Sequence, residues 1–291
     1  MINKLELGTA QFGLNYGIDN ATGQISKNEV RFLLKMASDA GIKNLDTAFA
    51  YGESESVLGL FFKGEGVDIP FKITTKMAPK QSAFVALKES LDRLKCSNVY
   101  AYLLHDFAAT RSGDLCQYTA MRMAVENGLA EKGGFSLYYP SDLEYILNEG
   151  LNFELLQVPY SLLDRRFLPY FLMLNDMGVE VHVRSVFLQG LVFLDDDRLV
   201  GSLLKARKPI SRLREIAKKH ECGIAEICLR FALSHPNVDR VIIGINGVDN
   251  LKENIHYSMV GKLDLNILSE LNDLVITDES ILLPFLWSEE K

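Results

Sequence analysis

The sequence predicts an α/β protein, a (β/α)8 TIM barrel forming one domain over residues 1–291 with a C-terminal helix and tail. Eight short apolar segments alternate with longer helical patterns, and such alternation forces parallel pairing through right-handed crossovers. The length of 291 residues suits one closed barrel of about 250 residues with an insertion and a tail. No G-x-G-x-x-G follows the first strand, where an open doubly wound sheet would carry it.

The elements follow in order. Residues 4–8 are a strand. Ser26 opens a helix, with Glu29 three residues on completing a capping box and Val30, Leu33, Leu34 and Ala37 forming the apolar stripe. Gly41 stops it, residues 43–46 resume as a strand, and a helix over 54–62 leads to a strand at 71–75. The unit repeats: helix 82–94, strand 99–104, helix 118–127, strand 133–135, helix 141–149 and strand 155–158. Helix 167–177 ends at Gly178 and precedes the strand 179–183. After an insertion over 188–208 come helices 211–220 and 225–233, the strand 240–243, and closing helices 248–260 and 265–274. The tail carries Trp287, the only tryptophan, which is expected to dock on the barrel wall.

Composition narrows the function. Hydrophobic residues at 48% and charged residues at 24% exclude a disordered chain. The net charge of −7 argues against a general nucleic-acid binder, which needs a basic field to displace counterions. No apolar run reaches the roughly 18 residues of a membrane helix; residues 185–194 are interrupted by Gln189 and Gly190. The first residues lack the apolar core of a secretory signal, so a cytoplasmic protein is expected. Four dispersed cysteines without C-x-x-C read as reduced thiols, and no histidine spacing suggests a metal. The pattern specifies no oligomeric state.

Active sites of such barrels lie at the C-terminal ends of the strands. There the sequence places Asp46 with Tyr51 just beyond it, then Lys76, His105, Ser136 and Gln157. Each has a plain structural alternative: Asp46 a turn former, Tyr51 one of eleven tyrosines, Lys76 a snorkelling surface lysine, His105 a satisfied network histidine. Together they form a constellation. A phenol with pKa near 10 is a poor proton donor at neutral pH, and an ammonium beside it stabilises the phenolate and lowers that pKa. Asp46 would hold Lys76 charged, and His105 would hydrogen-bond the oxygen being protonated. That suits protonation of a carbonyl oxygen while a cofactor delivers hydride, which no side chain can supply.

These residues resemble the aldo-keto reductase family across nearly the whole chain. Gly8-Thr9-Ala10 follows the first strand, and Asp46-Thr47-Ala48, Tyr51-Gly52 and Glu55 match the family's D-T-A-x-x-Y-G-x-x-E pattern. Thr75-Lys76, Leu104-His105, Gly134-Phe135-Ser136 and Gln157-Val158-Pro159-Tyr160 continue it in order. The resemblance implies an NAD(P)H-dependent reductase of small aldehydes or ketones, sugar-like carbonyls included. Tyr51 would be the general acid, assisted by Lys76, Asp46 and His105, with Phe12, Tyr51 and His105 bounding the substrate pocket.

It also implies a cofactor track through Gly8, Thr9, Ala10 and Asp46. Ser136 and Gln157 would meet the nicotinamide carboxamide. Arg184, Ser185, Gln189, Gly190 and Leu191 would follow along the pyrophosphate, and Gly244, Asn246, Asn250 and Asn254 at the adenosine end. Arg184 stands where the family often has an aromatic, and Leu137 where it has an asparagine. Gly244 and Asn250 stand in the places of the basic residues that hold a 2′-phosphate. The family's NADP(H) preference is expected over NAD(H), weakened by those departures. Two other readings remain: a low-turnover nicotinamide redox sensor, motivated by Arg184 and Leu137, and Schiff-base chemistry at Lys76.

Overall fold

The computed structural model describes residues 1–18, 20, 23–64, 71–77 and 83–287. Eight strands close a barrel in chain order: β1 (Leu5–Gly8), β2 (Asn44–Asp46), β3 (Lys72–Lys76), β4 (Val99–Leu104), β5 (Ala130–Ser136), β6 (Leu155–Pro159), β7 (Glu180–Arg184) and β8 (Arg240–Gly244). Every neighbouring pair is parallel, and β8 returns to β1. The barrel therefore leaves no sheet edge unpaired.

The crossovers are α1 (Lys27–Asp39), α2 (Ser54–Gly64), α3 (Ala83–Leu94), α4 (Cys116–Glu126), α5 (Pro140–Asn148), α6 (Phe171–Asp176), α7 (Arg207–Lys219) and α8 (Ile224–Ser234); α9 (Val248–Val260) and α10 (Leu265–Glu270) follow the last strand. The strands are apolar because both faces are covered: all six residues of β4 are buried. Most helices bury one stripe, whereas α8 is buried all round from Ile227 to Leu233. In α1 that stripe is Val30, Leu33, Leu34 and Ala37, and the Ser26 hydroxyl accepts from Glu29 N at the start, 3.3 Å away.

The expected elements recur with shifted ends. The expected helix over 211–220 begins four residues earlier, at Arg207, because Pro209 falls in its first turn, where no backbone donor is needed. The segment expected as one helix over 167–177 opens with a 3-10 turn, Leu168–Tyr170, around Pro169. β5 is longer than the expected 133–135, extending back to Ala130 through the charged Glu131 and Lys132; Lys132 reaches the Glu180 carboxylate on β7 at 2.6 Å. β7 runs one residue further than expected, which puts Arg184 on the strand end. Ser82, the expected start of α3, lies outside the described residues. Trp287 docks as expected, its indole N–H donating to Ile281 O at 2.9 Å. No helix among the described residues is long and apolar enough to cross a membrane.

Candidate active site

The parallel register brings the strand ends to one mouth. Gly8 pairs with Asp46 and Gly244, Asp46 with Thr74, Ser136 with Gln157, and Pro159 with Arg184. Just past β2, the loop bearing Tyr51 sits on the short helical turn after β1. Gly52 adopts φ +56°, and a Cβ added to Gly13 would stand 2.5 Å from Ser54 N and closer still to the Tyr51 carbonyl. Below it the Ser54 hydroxyl donates to Thr9 O at 2.9 Å, and Thr9 Oγ1 donates to Asp46 O at 3.0 Å. Thr9 therefore braces β1 against β2 rather than entering the cleft.

The four expected catalytic side chains meet. Lys76 Nζ donates to Asp46 Oδ1 and Oδ2 at 2.7 and 2.8 Å, to Thr47 O at 2.9 Å and to the Tyr51 hydroxyl at 3.3 Å. The His105 and Tyr51 rings meet edge-on, 6.0 Å between centroids. Gln157 crosses the barrel mouth from β6 to donate to Asp46 Oδ1 at 2.7 Å, and the Ser136 hydroxyl donates to Gln157 Oε1 at 3.1 Å. Lys76 and Asp46 are 1% and 3% exposed, so this ion pair is held out of water.

Burial and charge set the protonation states. Burial pulls the Lys76 ammonium down, but Asp46 and Tyr51 beside it outweigh that and leave its pKa raised. Burial raises Asp46 despite Lys76. His105 is driven down to about 3 by burial, then by the positive charges of Lys76 and Arg184, so its imidazole is neutral at ordinary pH. Tyr51 corrects the sequence expectation: Lys76 does act to lower its pKa, but burial of the phenol is larger and the net shift is upward.

The cleft over this quartet is lined at one end by Tyr51, His105, Ser136 and Gln157. Beside β7 it continues past Arg184, Ser185, Gln189 and Gly190, and beside β8 past Gly244, Asn246 and Asn250, with Gly8 and Ala10 also on its wall. The segment after β7 is strained: Ser185, Leu188 and Gln189 all have positive φ (62°, 44° and 53°) without being glycine. Gln189 O accepts from Ile18 N at 3.1 Å, which ties this segment to the loop after β1.

Other expected contacts lie elsewhere. Phe12, expected to wall the substrate pocket, is fully buried in the core, because the turn carrying it packs its apolar side inward. Leu191 is likewise buried in the core. Asn254 is 1% exposed and off the cleft wall, and its Nδ2 has no hydrogen-bond partner. The sequence reading missed Tyr16, Tyr138 and Phe187, which line the cleft. Tyr138 had a signal, standing two residues past the strand-end Ser136.

The residues fit a dinucleotide. Gln157 keeps one amide hydrogen and one lone pair free for a second amide. Gly244 keeps the far end open, since a Cβ there would stand 3.2 Å from Gln11 Nε2.

The barrel, with the family match that follows, places the protein in the class of NAD(P)-dependent oxidoreductases. The model of the Aldo/keto reductase family matches residues 4–276, and the chain belongs to that family. It is 24% identical to "Uncharacterized oxidoreductase YqkF" of Bacillus subtilis, covering 90% of this chain and 93% of that protein. It is 27% identical to "Aldo-keto reductase family 1 member C4" of Macaca fascicularis, covering 87% and 85%. Among solved structures, the holo form of "aldo-keto reductase AKR11C1" from Bacillus halodurans superposes with a TM-score of 0.78 at 22% identity, over 94% of this chain and 93% of that one.

Proposed function

We propose that the protein reduces an aldehyde or ketone to the alcohol, with Tyr51 as general acid. The observation that supports this reading most directly is the Lys76 ammonium, 3.3 Å from the Tyr51 hydroxyl and locked there by both oxygens of Asp46. When bound, the nicotinamide supplies the hydride. The protein's part is the proton. Tyr51 Oη gives its hydrogen to the carbonyl oxygen as negative charge develops there, and the phenolate left behind is stabilised by Lys76. His105, neutral, donates a hydrogen bond that orients the same oxygen. With burial raising the Tyr51 pKa, the resting enzyme holds the proton it must give.

Lys76 as a Schiff-base nucleophile fits poorly, because three acceptors fix it in its protonated form. In the proposed arrangement Ser136 and Gln157 bind the carboxamide, and Ser185, Gln189, Asn246 and Asn250 line the remaining length. Asp46 acts through Lys76 and Gln157. NADP(H) is the expected cofactor, although Gly244, Asn246 and Asn250 offer a 2′-phosphate no cation. Tyr51→Phe is the test. It should bind cofactor as the wild type does while losing carbonyl reduction by about a hundredfold or more; a variant that kept full turnover would refute Tyr51 as the acid.

A further inference from the structure

Among the described residues lining the cleft, two carry a formal charge, Asp46 and Arg184, with His105 held neutral. The charge of Asp46 is cancelled by Lys76 at 2.7 Å. That of Arg184 is cancelled by nothing: no carboxylate among the described residues pairs with it. Its Nη2 donates to Leu137 O at 2.9 Å, its Nη1 lies 3.4 Å from Ser185 Oγ, and its guanidinium lies on the Tyr138 ring, 3.9 Å from the centroid. These contacts fix the plane of the fork and leave further N–H groups unused. Its positive charge acts to lower the pKa of the proposed reacting groups Tyr51 and His105, and of Tyr16 on the cleft wall. In a chain of net charge −7, the cleft thus holds one rigid, uncancelled cation.

A partly desolvated guanidinium gains most from an anion that it can grip with two parallel N–H bonds. We propose that Arg184 is a specificity-determining residue that selects carbonyl substrates bearing a carboxylate, the class of oxo acids. This rests on the carbonyl-reductase reading and names its substrate class. The same anion-binding chemistry could instead serve a phosphate of the cofactor, and the experiment separates the two sources.

The full chain is assayed with cofactor on 4-oxobutanoate and butanal, which differ by the carboxylate at the far end. The wild type should favour 4-oxobutanoate in kcat/KM by about tenfold to a hundredfold, the range expected of one charge-assisted hydrogen-bonded pair. In Arg184→Gln the ratio should fall toward one, mainly through KM, and Arg184→Lys, which keeps the charge but not the fork, should fall between. A second arm needs no turnover: succinate, but not succinamide, should raise the melting temperature of the unloaded wild type, and Arg184→Gln should lose that shift.

A wild-type ratio near one, or a ratio that survives Arg184→Gln, overturns the proposal. So does an Arg184→Gln variant that weakens cofactor binding tenfold while the ratio persists, because Arg184 then serves the cofactor. If neither aldehyde is reduced by the wild type, the carbonyl-reductase reading has failed. The succinate arm alone then decides Arg184, and no shift with succinate overturns its role.

Discussion

Gly13 and Tyr51 are packed backbone to backbone, with no room for a methyl group between the Gly13 α-carbon and the Tyr51 carbonyl oxygen. The position of the proposed acid is thus set by a glycine in the preceding βα loop as much as by its own loop. A Cβ at position 13 must push the 51–54 segment outward, and Gly52, at φ +56°, is already in the left-handed region and absorbs little.

Gly13→Ala should therefore cost about 1–3 kcal/mol of stability by overpacking. It should lower kcat by on the order of a hundredfold, because a displacement of about 1 Å at a proton donor has that effect. Circular dichroism and steady-state rates test this together. A folded Gly13→Ala protein with wild-type kcat would show that the contact does not position Tyr51.

The buried Lys76–Asp46 pair makes a sharper separation between folding and chemistry. Lys76→Met leaves Asp46 enclosed without its cation, and removing one partner of a buried pair costs about 3–5 kcal/mol. Adding Asp46→Asn removes the stranded charge, so Lys76→Met/Asp46→Asn should be more stable than Lys76→Met alone. Both should be inactive, because neither has an ammonium beside Tyr51. Denaturant melts of the two proteins decide it, and equal or lower stability of the double variant would contradict a charge-driven account.

Much of this site was legible in the sequence because strand ends are fixed by the chain's own pattern. Apolar runs locate β2, β3 and β4, and Asp46, Lys76 and His105 stand at or just past their ends. Three things were not legible. The sign of the net shift at Tyr51 depends on how deeply the phenol is enclosed, a three-dimensional quantity that no spacing encodes. Phe12 looks like a pocket wall in a linear reading, but a helical turn can aim either side inward, and this one aims it at the core. The charge balance around Arg184 emerges only once the cleft lining is known: the Lys76–Asp46 pair was expected, but which other charges share the wall with Arg184 depends on residues far apart in sequence.

Inside the barrel, Glu6 on β1 and His182 on β7 meet across β8 as a fully buried ion pair, 2.7 Å apart, with Glu180 3.3 Å from the other imidazole nitrogen. Burial would lower the His182 pKa, but Glu6 and Glu180 more than reverse it, to about 9. The ordinary value is 6.5, so below that pH both folded and unfolded chains carry the proton and the stabilisation is complete. Between 6.5 and 9 the unfolded chain binds fewer protons than the folded one, so stability falls as pH rises, by up to about 1.4 kcal/mol per pH unit. His105, driven down to about 3, acts oppositely, removing stability as pH falls below 6.5. The melting temperature should decline from neutrality toward pH 9, and Glu6→Gln should flatten that decline. An unchanged slope in Glu6→Gln would sink this assignment.

Discrimination between the two nicotinamide cofactors rests on the 2′-phosphate; in the proposed arrangement that group meets the β8 end of the cleft, where the described lining residues Asn246, Asn250 and Gly244 are neutral. Lys252 is exposed and spends its charge on Asp249 at 3.2 Å, a surface pair worth about 0–1 kcal/mol at most. A carboxylate also stands close by, since a Cβ on Gly247 would lie 3.3 Å from Glu29 Oε1. Attraction and repulsion should then nearly cancel, and the dissociation constants for NADPH and NADH should differ by less than about tenfold, or 1.4 kcal/mol. Asn250→Arg should shift the balance toward NADPH, and the shift should shrink as salt is raised, because an exposed charge–phosphate contact is screened. Parallel calorimetric titrations of wild type and Asn250→Arg measure both quantities. A wild-type preference for NADPH of a hundredfold or more would mean that a cation reaches the phosphate from outside this end of the cleft.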